Sequence, residues 1–297
     1  MKLKDAWDVA KETAAAWLED DASRLAASLA FYTLLSLAPL VIIAVSVAGL
    51  LLGTEAARGQ IAGELSSVVG PSAAQGIQAV VASARSQASG AVGTLIGLVT
   101  LFIGASGVFG ELQHALNAIW EVRAKPGRGW VGQLRDRFLS FTMVLGVAFL
   151  LLVSLLLSAA LSALGHAMTT GLPGGELFWQ AVNFAFSLAM VTGLFALIFK
   201  LVPDVLIRWS DVWVGAFVTA LLFTIGKSLL GIYLGHASIG SSYGAAGSLV
   251  VLVIWVYYSA QILFLGAEFT QVQAHRRGHT IRPSHNAEAF QRDAKAF

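Results

Sequence analysis

The chain has no cysteine. Neither a disulfide framework nor a cysteine metal site can therefore exist in it. Charge is also scarce: 12% of the 297 residues are Asp, Glu, Lys or Arg, against roughly 25% in a soluble domain. So little charge cannot cover a surface that faces water. It excludes an ordinary soluble fold and, with 57% hydrophobic residues and a mean hydropathy of +0.74, turns the outer surface toward lipid. No G-x-x-x-x-G-K-[ST] phosphate loop occurs, so nothing here binds ATP by that route. The opening segment MKLKDAWDVAKETAAAWLEDD lacks an apolar core and does not read as a secretory signal peptide.

What the chain does have is long intervals without charge. Residues 25–54, 86–110, 138–175, 177–199 and 228–267 hold no Asp, Glu, Lys or Arg. A membrane span needs about 20 mainly apolar residues. The pattern predicts an all-α fold, a polytopic membrane helical bundle with six spans near 29–53, 91–113, 138–164, 177–202, 212–235 and 247–270. Residues 1–275 then form a single membrane domain, and 276–297 a flexible tail.

Orientation follows from the loops. Lys2, Lys4, Lys11 and Arg24 precede the first span, five basic residues from Arg123 to Arg137 lie between spans two and three, Lys200 and Arg208 flank the 4–5 connection, and five more occupy the tail. The opposite side holds Arg58 and Arg85 alone. The positive-inside rule puts both termini in the cytoplasm and the chain in an inner (plasma) membrane.

Two segments outside the spans also read as helices. Residues 5–22 align Trp7, Ala10, Ala14, Trp17 and Leu18 on one stripe, which suits an interfacial helix or a helix packed under the bundle. Residues 56–88 read as an extracytoplasmic helical hairpin broken at Gly70-Pro71.

The segments RLAASLAFYTLLSLAPL (24–40), ELQHALNAIWEVR (111–123), 201–235 from LVPD to FTIGKSLLGIYLG, and SSYGAAGSLVVLVIWVYYSAQILFLGAEFTQ (241–271) resemble the YihY/BrkB family. The resemblance covers about residues 5–275. It implies a bacterial inner-membrane protein with six spans. The family is named partly for a virulence role and has carried the label ribonuclease BN.

Polar residues at depth are the functional signals. Lys227 interrupts the fifth span, about 22 Å beyond Val212 and about 12 Å before Gly235 at 1.5 Å per residue. An ionisable group at such depth is costly and generally faces a bundle interior or a wet cavity. One reading is a docking point for a lipid phosphate or carboxylate, with Asn183, Tyr233 and Tyr243 as companion substrate-binding residues. The other is a structural lysine bonded to span carbonyls. A second cluster, Glu111, His114, Asn117 and Glu268, belongs to the cytoplasmic ends. Acid and imidazole together could relay protons, or the same groups could cap and tie helices. Asp204 and Asp211 read as boundary residues. Gly93 with Gly97, Ser106 with Gly110, and Gly231 with Gly235 are spaced for close helix approach. Trp120, Trp130, Trp179, Trp209, Trp213 and Tyr243 fall near span ends, as belt anchors do.

Three functions follow for testing. The first is transport, without ATP, of an amphiphilic or anionic envelope substrate, with membrane lipids as partners. The second is a non-catalytic scaffold for envelope assembly or virulence. The third is an enzyme. A metal nuclease needs converging carboxylates and often histidines, and the sequence offers no such set. The expectation is therefore no catalytic residue, no cofactor, no metal and no nucleic acid.

Overall fold

The computed structural model describes residues 3–36, 78, 107–125, 175–236, 247–285 and 287–290. Within them lie six helices: α1 (Leu3–Glu19), α2 (22–36), α3 (107–119), α4 (Gly175–Leu201), α5 (Trp209–His236) and α6 (Gly247–Arg276). Three of these, over Phe184–Leu201, Trp209–Tyr233 and Leu249–Arg276, are long and apolar enough to cross a membrane. They match the fourth, fifth and sixth spans read from the charge-free intervals. Of the first and second spans, only 29–36 and 107–113 are described, and both are helical. The third span and, Gln78 apart, the outer hairpin lie outside the described residues.

Helix α1 ends at acidic residues. Asp21 takes a left-handed backbone, φ 51°, which a short polar side chain tolerates better than a branched one. Its carbonyl then accepts from the backbone N–H of Arg24 and Leu25 at 2.8 and 3.2 Å, so the stop of α1 is the start of α2. On α2 the buried residues Ala22, Leu25, Ala26 and Leu29 recur at helical spacing, whereas Phe31 and Leu35 are exposed. That is one apolar stripe packed inward and a second facing outward. The core joins this stripe to Leu112, Leu116 and Ile119 of α3, Phe195 and Phe199 of α4, Val212 and Ala216 of α5, and Leu263, Phe264 and Ala267 of α6.

Helices α5 and α6 meet through a reciprocal exchange of glycine and threonine. A Cβ added to Gly215 would lie 1.8 Å from Thr270 Oγ1, and one added to Gly266 would lie 1.9 Å from Thr219 Oγ1. Thr219 donates to the Gly215 carbonyl at 2.7 Å, and Thr270 to the Gly266 carbonyl at 2.6 Å. Each hydroxyl is thus satisfied on its own helix, and the rest of the side chain fills the space left by the other helix's glycine. A third close approach sets Tyr258 against Gly226. As residue numbers rise on α5 they fall on α6, so the helices run antiparallel. The small-residue spacing singled out in the sequence does not mark this contact. Among the described residues, nothing lies within 4 Å of a Cβ added to Gly231 or Gly110.

The tail departs from the expectation of flexibility as far as Phe290. Strand β1 (Val122–Ala124) pairs antiparallel with β4 (Ala287–Ala289), and β2 (Val205–Leu206) with β3 (Arg282–Pro283). The physical reason is that helices α3, α4 and α6 all end here with exposed backbone, and the returning tail supplies its hydrogen-bond partners. Arg123 Nε donates to Glu288 Oε1 at 2.8 Å, and Lys125 Nζ to the His285 carbonyl at 2.9 Å. Phe290 N–H bonds to the Glu121 carbonyl at 2.8 Å.

Candidate functional site

The polar side chains that find partners concentrate at one end of the bundle, where α1, the 120–125 and 202–208 connections, and the tail meet. Asp204 stands at its centre. Asn117 clasps it at two points: Asn117 Nδ2 donates to Asp204 Oδ2 at 2.9 Å, and the Asp204 N–H donates to Asn117 Oδ1 at 2.7 Å. Gln113 Nε2 reaches the same carboxylate oxygen at 3.2 Å, and the Asp204 carbonyl accepts from the Ser284 N–H at 2.8 Å. Helix α3, the α4–α5 connection and the tail are thus joined at one residue. Pro203, just before it, cannot continue α4 and helps turn the chain toward α3.

Asp211 is the second hub. It lies in the first turn of α5, where the helix dipole favours an anion, and only 1% of its side chain is exposed. Arg277 Nη1 meets Oδ1 at 3.0 Å and His279 Nδ1 meets Oδ2 at 2.6 Å. Both partners come from just beyond α6. Lys200, at the last turn of α4, donates to the Ile207 carbonyl and lies 5.5 Å from the Trp209 ring centre.

Helix α1 joins this end from outside. Arg276 grips Glu12 through Nε at 2.7 Å and Nη2 at 2.6 Å. These bonds hold the Glu12 carboxyl below its usual range. The buried side of α1 is Val9 and Thr13, and Trp7 and Leu18 are exposed. Of the stripe read from the sequence, Trp7, Ala10, Ala14 and Leu18 face away from the bundle, which suits a lipid surface beside them, while Trp17 packs against the core. The helix packs against the bundle through one face and leaves Trp7 and Leu18 exposed on the other.

The residues expected to form sites are distributed as follows. Lys227 and Tyr233 are both exposed on α5, and no partner of the Lys227 ammonium occurs among the described residues. Asn183 lies within α4, and Tyr243 lies outside the described residues. In the second cluster Glu111 is half-buried, His114 is exposed, and Asn117 and Glu268 are buried. Asn117 turns to Asp204 instead of to Glu111 or His114. Glu268 has no exposed surface. Trp120, expected at a belt, is 2% exposed with its indole N–H unpaired. Trp209 and Trp213 are about half exposed, 6.5 Å apart between ring centres. Asp204 and Asp211, read as mere boundary residues, are the two hubs. Among the described residues no group of three or more His, Cys, Asp or Glu side chains is set to hold a metal ion.

Comparison with known proteins gives a consistent result. A family model described as "Virulence factor BrkB" matches residues 13–291. A "UPF0761 membrane protein" of Tolumonas auensis is 34% identical over 181 residues, 60% of this chain and 56% of that protein. Another, from Verminephrobacter eiseniae, is 30% identical over 253 residues, 82% of this chain and 57% of its own length. A third, from Pseudomonas aeruginosa (strain LESB58), is 28% identical over 281 residues, 89% of this chain and 62% of its own length. The chain thus spans little more than half the length of these relatives. No solved structure matches.

Proposed function

This chain belongs to the virulence factor BrkB family, and from that premise we propose that it is a multi-pass protein of the bacterial inner membrane that moves, or helps move, an amphiphilic or anionic envelope substrate without ATP. Six helices cross the membrane, and both termini lie in the cytoplasm. The gathering of α1, the 120–125 and 202–208 connections and the tail at one end supports this sidedness, because these segments carry the basic residues that the positive-inside rule keeps inside.

The observation that carries the transport reading is Lys227. Its ammonium sits well along α5, exposed and without a partner among the described residues. A fixed positive charge at such depth is expensive unless an anionic group meets it. A lipid phosphate or a carboxylated amphiphile supplies that group, with the apolar flanks of α5 accepting its chains. Reconstituted protein is expected to move a fluorescent anionic lipid between leaflets. Lys227→Ala should slow the movement at least about tenfold, the loss of about 1.4 kcal/mol, and Lys227→Arg should retain most of it. Equal flux in wild type and Lys227→Ala removes Lys227 from the mechanism.

A non-catalytic scaffold is the second reading. The strand-laced polar end, with Arg123, Arg208 and Arg282 exposed, favours it as a docking face. Crosslinking in native membranes would then recover a stoichiometric partner, and a lone monomer throughout would count against it.

A further inference from the structure

Most arginines among the described residues have an acid. Arg24 pairs with Asp21, Arg123 with Glu288, Arg276 with Glu12 and Arg277 with Asp211. Arg208 and Arg282 differ: both are exposed, and neither side chain has a partner among the described residues.

The fold puts these two on one outer face. Along 205–208 Val205 and Ile207 are buried, whereas Leu206 and Arg208 are exposed. Successive side chains of an extended chain point to opposite sides, so Leu206 and Arg208 share the outer one. Arg282 stands opposite Leu206 in the β2–β3 pair, and residues so paired present their side chains on the same face. The Arg208 carbonyl accepts from the Asp211 and Val212 N–H groups at 3.1 Å each, so its backbone is fixed. The neighbouring acids are engaged elsewhere. Asp204 is held by Asn117 and Gln113, and buried Asp211 by Arg277 and His279.

Apolar surface begins where this charge ends. Trp209 follows Arg208, and Trp209, Trp213 and Phe217 are all exposed on α5. A spacing of four lays them along one side of the helix, over about 12 Å. That helix is long and apolar enough to cross a membrane. Lys200 steadies the near end of the stripe, bonded to the Ile207 carbonyl and lying over the Trp209 ring.

We propose that Arg208 and Arg282 hold the phosphate of an anionic phospholipid whose acyl chain lies along Trp209, Trp213 and Phe217. Guanidinium groups offer paired N–H donors that match phosphate oxygens. Indole rings favour the level between headgroup and hydrocarbon. A zwitterionic lipid brings the same phosphate with an ammonium that two arginines repel, so the site selects a net negative headgroup. A soluble protein could cover the arginines but could not follow the stripe into hydrocarbon. The site does not depend on Lys227 or on the transport reading.

Tryptophan quenching tests this on the full chain in phosphatidylcholine vesicles containing a minor share of brominated phosphatidylglycerol. Brominated phosphatidylcholine is the reference, and a Trp209→Phe, Trp213→Phe variant subtracts the signal of the other tryptophans. Wild type is expected to draw phosphatidylglycerol to these two rings beyond its share of the bilayer. Arg208→Gln and Arg282→Gln should each lower that preference about fivefold, and the double variant should abolish it. Arg24→Gln should leave it unchanged. Equal quenching by the two brominated lipids overturns the proposal. So does a loss in Arg24→Gln as large as in Arg208→Gln, which would mean a diffuse surface potential. A photoreactive probe on Leu206→Cys, unique in a chain without cysteine, reads the same face in native membranes with both arginines intact. It should label lipid, and capture of a protein in its place overturns the proposal equally.

Discussion

Asp211 and Arg277 are unequal partners, because one is almost fully buried while the other is 38% exposed. Removing Asp211 frees an arginine that can turn to water. Removing Arg277 leaves a buried carboxylate with His279 alone, and an orphaned buried charge costs more than the bond it lost. Arg277→Ala should therefore destabilise by about 1–3 kcal/mol, more than Asp211→Asn, and the double variant should recover part of the loss. Thermal unfolding in detergent checks the order, and Asp211→Asn proving the worse would refute it. Glu12 gives a pH effect with a definite sign. Its carboxyl is held below the usual range by Arg276, so its contribution is present above its unfolded pKa of about 4.3 and fades as pH falls through the lower folded value. Proteolysis within α1 should accelerate in that acid window, and Glu12→Gln should remove the pH dependence. Little of this was legible in the sequence. Asp204 and Asn117 stand 87 residues apart, and Asp211 and Arg277 stand 66 apart. No local pattern couples such positions, and a charge at a span boundary is unremarkable until its partner is known.

At the scale of elements, the hydrophobic signal was strong and the packing signal weak. Hydrocarbon demands long uncharged runs, so both ends of α4 fall within a few residues of the charge-free interval 177–199. Which glycines touch a neighbour depends on helix rotation, and that is not written in their spacing. Gly215→Ala or Gly266→Ala should lower stability by about 1–3 kcal/mol through overpacking, because the added methyl meets a threonine at its backbone end. Pairing Gly266→Ala with Thr219→Gly should restore part of it. Gly231→Ala meets nothing among the described residues and should be neutral or gain up to about 1 kcal/mol from helix propensity. Thermal denaturation of the four variants distinguishes this ranking from one based on glycine spacing alone.

At the scale of the whole molecule, one end of the bundle is tied across the chain while the described helices supply the apolar body. Deleting residues 282–297 removes β3 and β4 together and leaves β1 and β2 without partners. Amide exchange should then rise at 122–124 and 205–206 while the interiors of α5 and α6 keep their protection. Uniform loss of protection would mean that the tail is needed by the entire fold. The tail escaped the sequence reading because its strands are two and three residues long, too short for any alternation to show. Their position also sets an order of assembly. Residues 282–289 emerge from the ribosome after both segments they pair with, so Val122–Ala124 and Val205–Leu206 must wait with unpaired backbone until synthesis has passed them. A chain stalled before that point would enter the membrane with its helices inserted and this end still unlaced, a form that quality-control proteases can recognise.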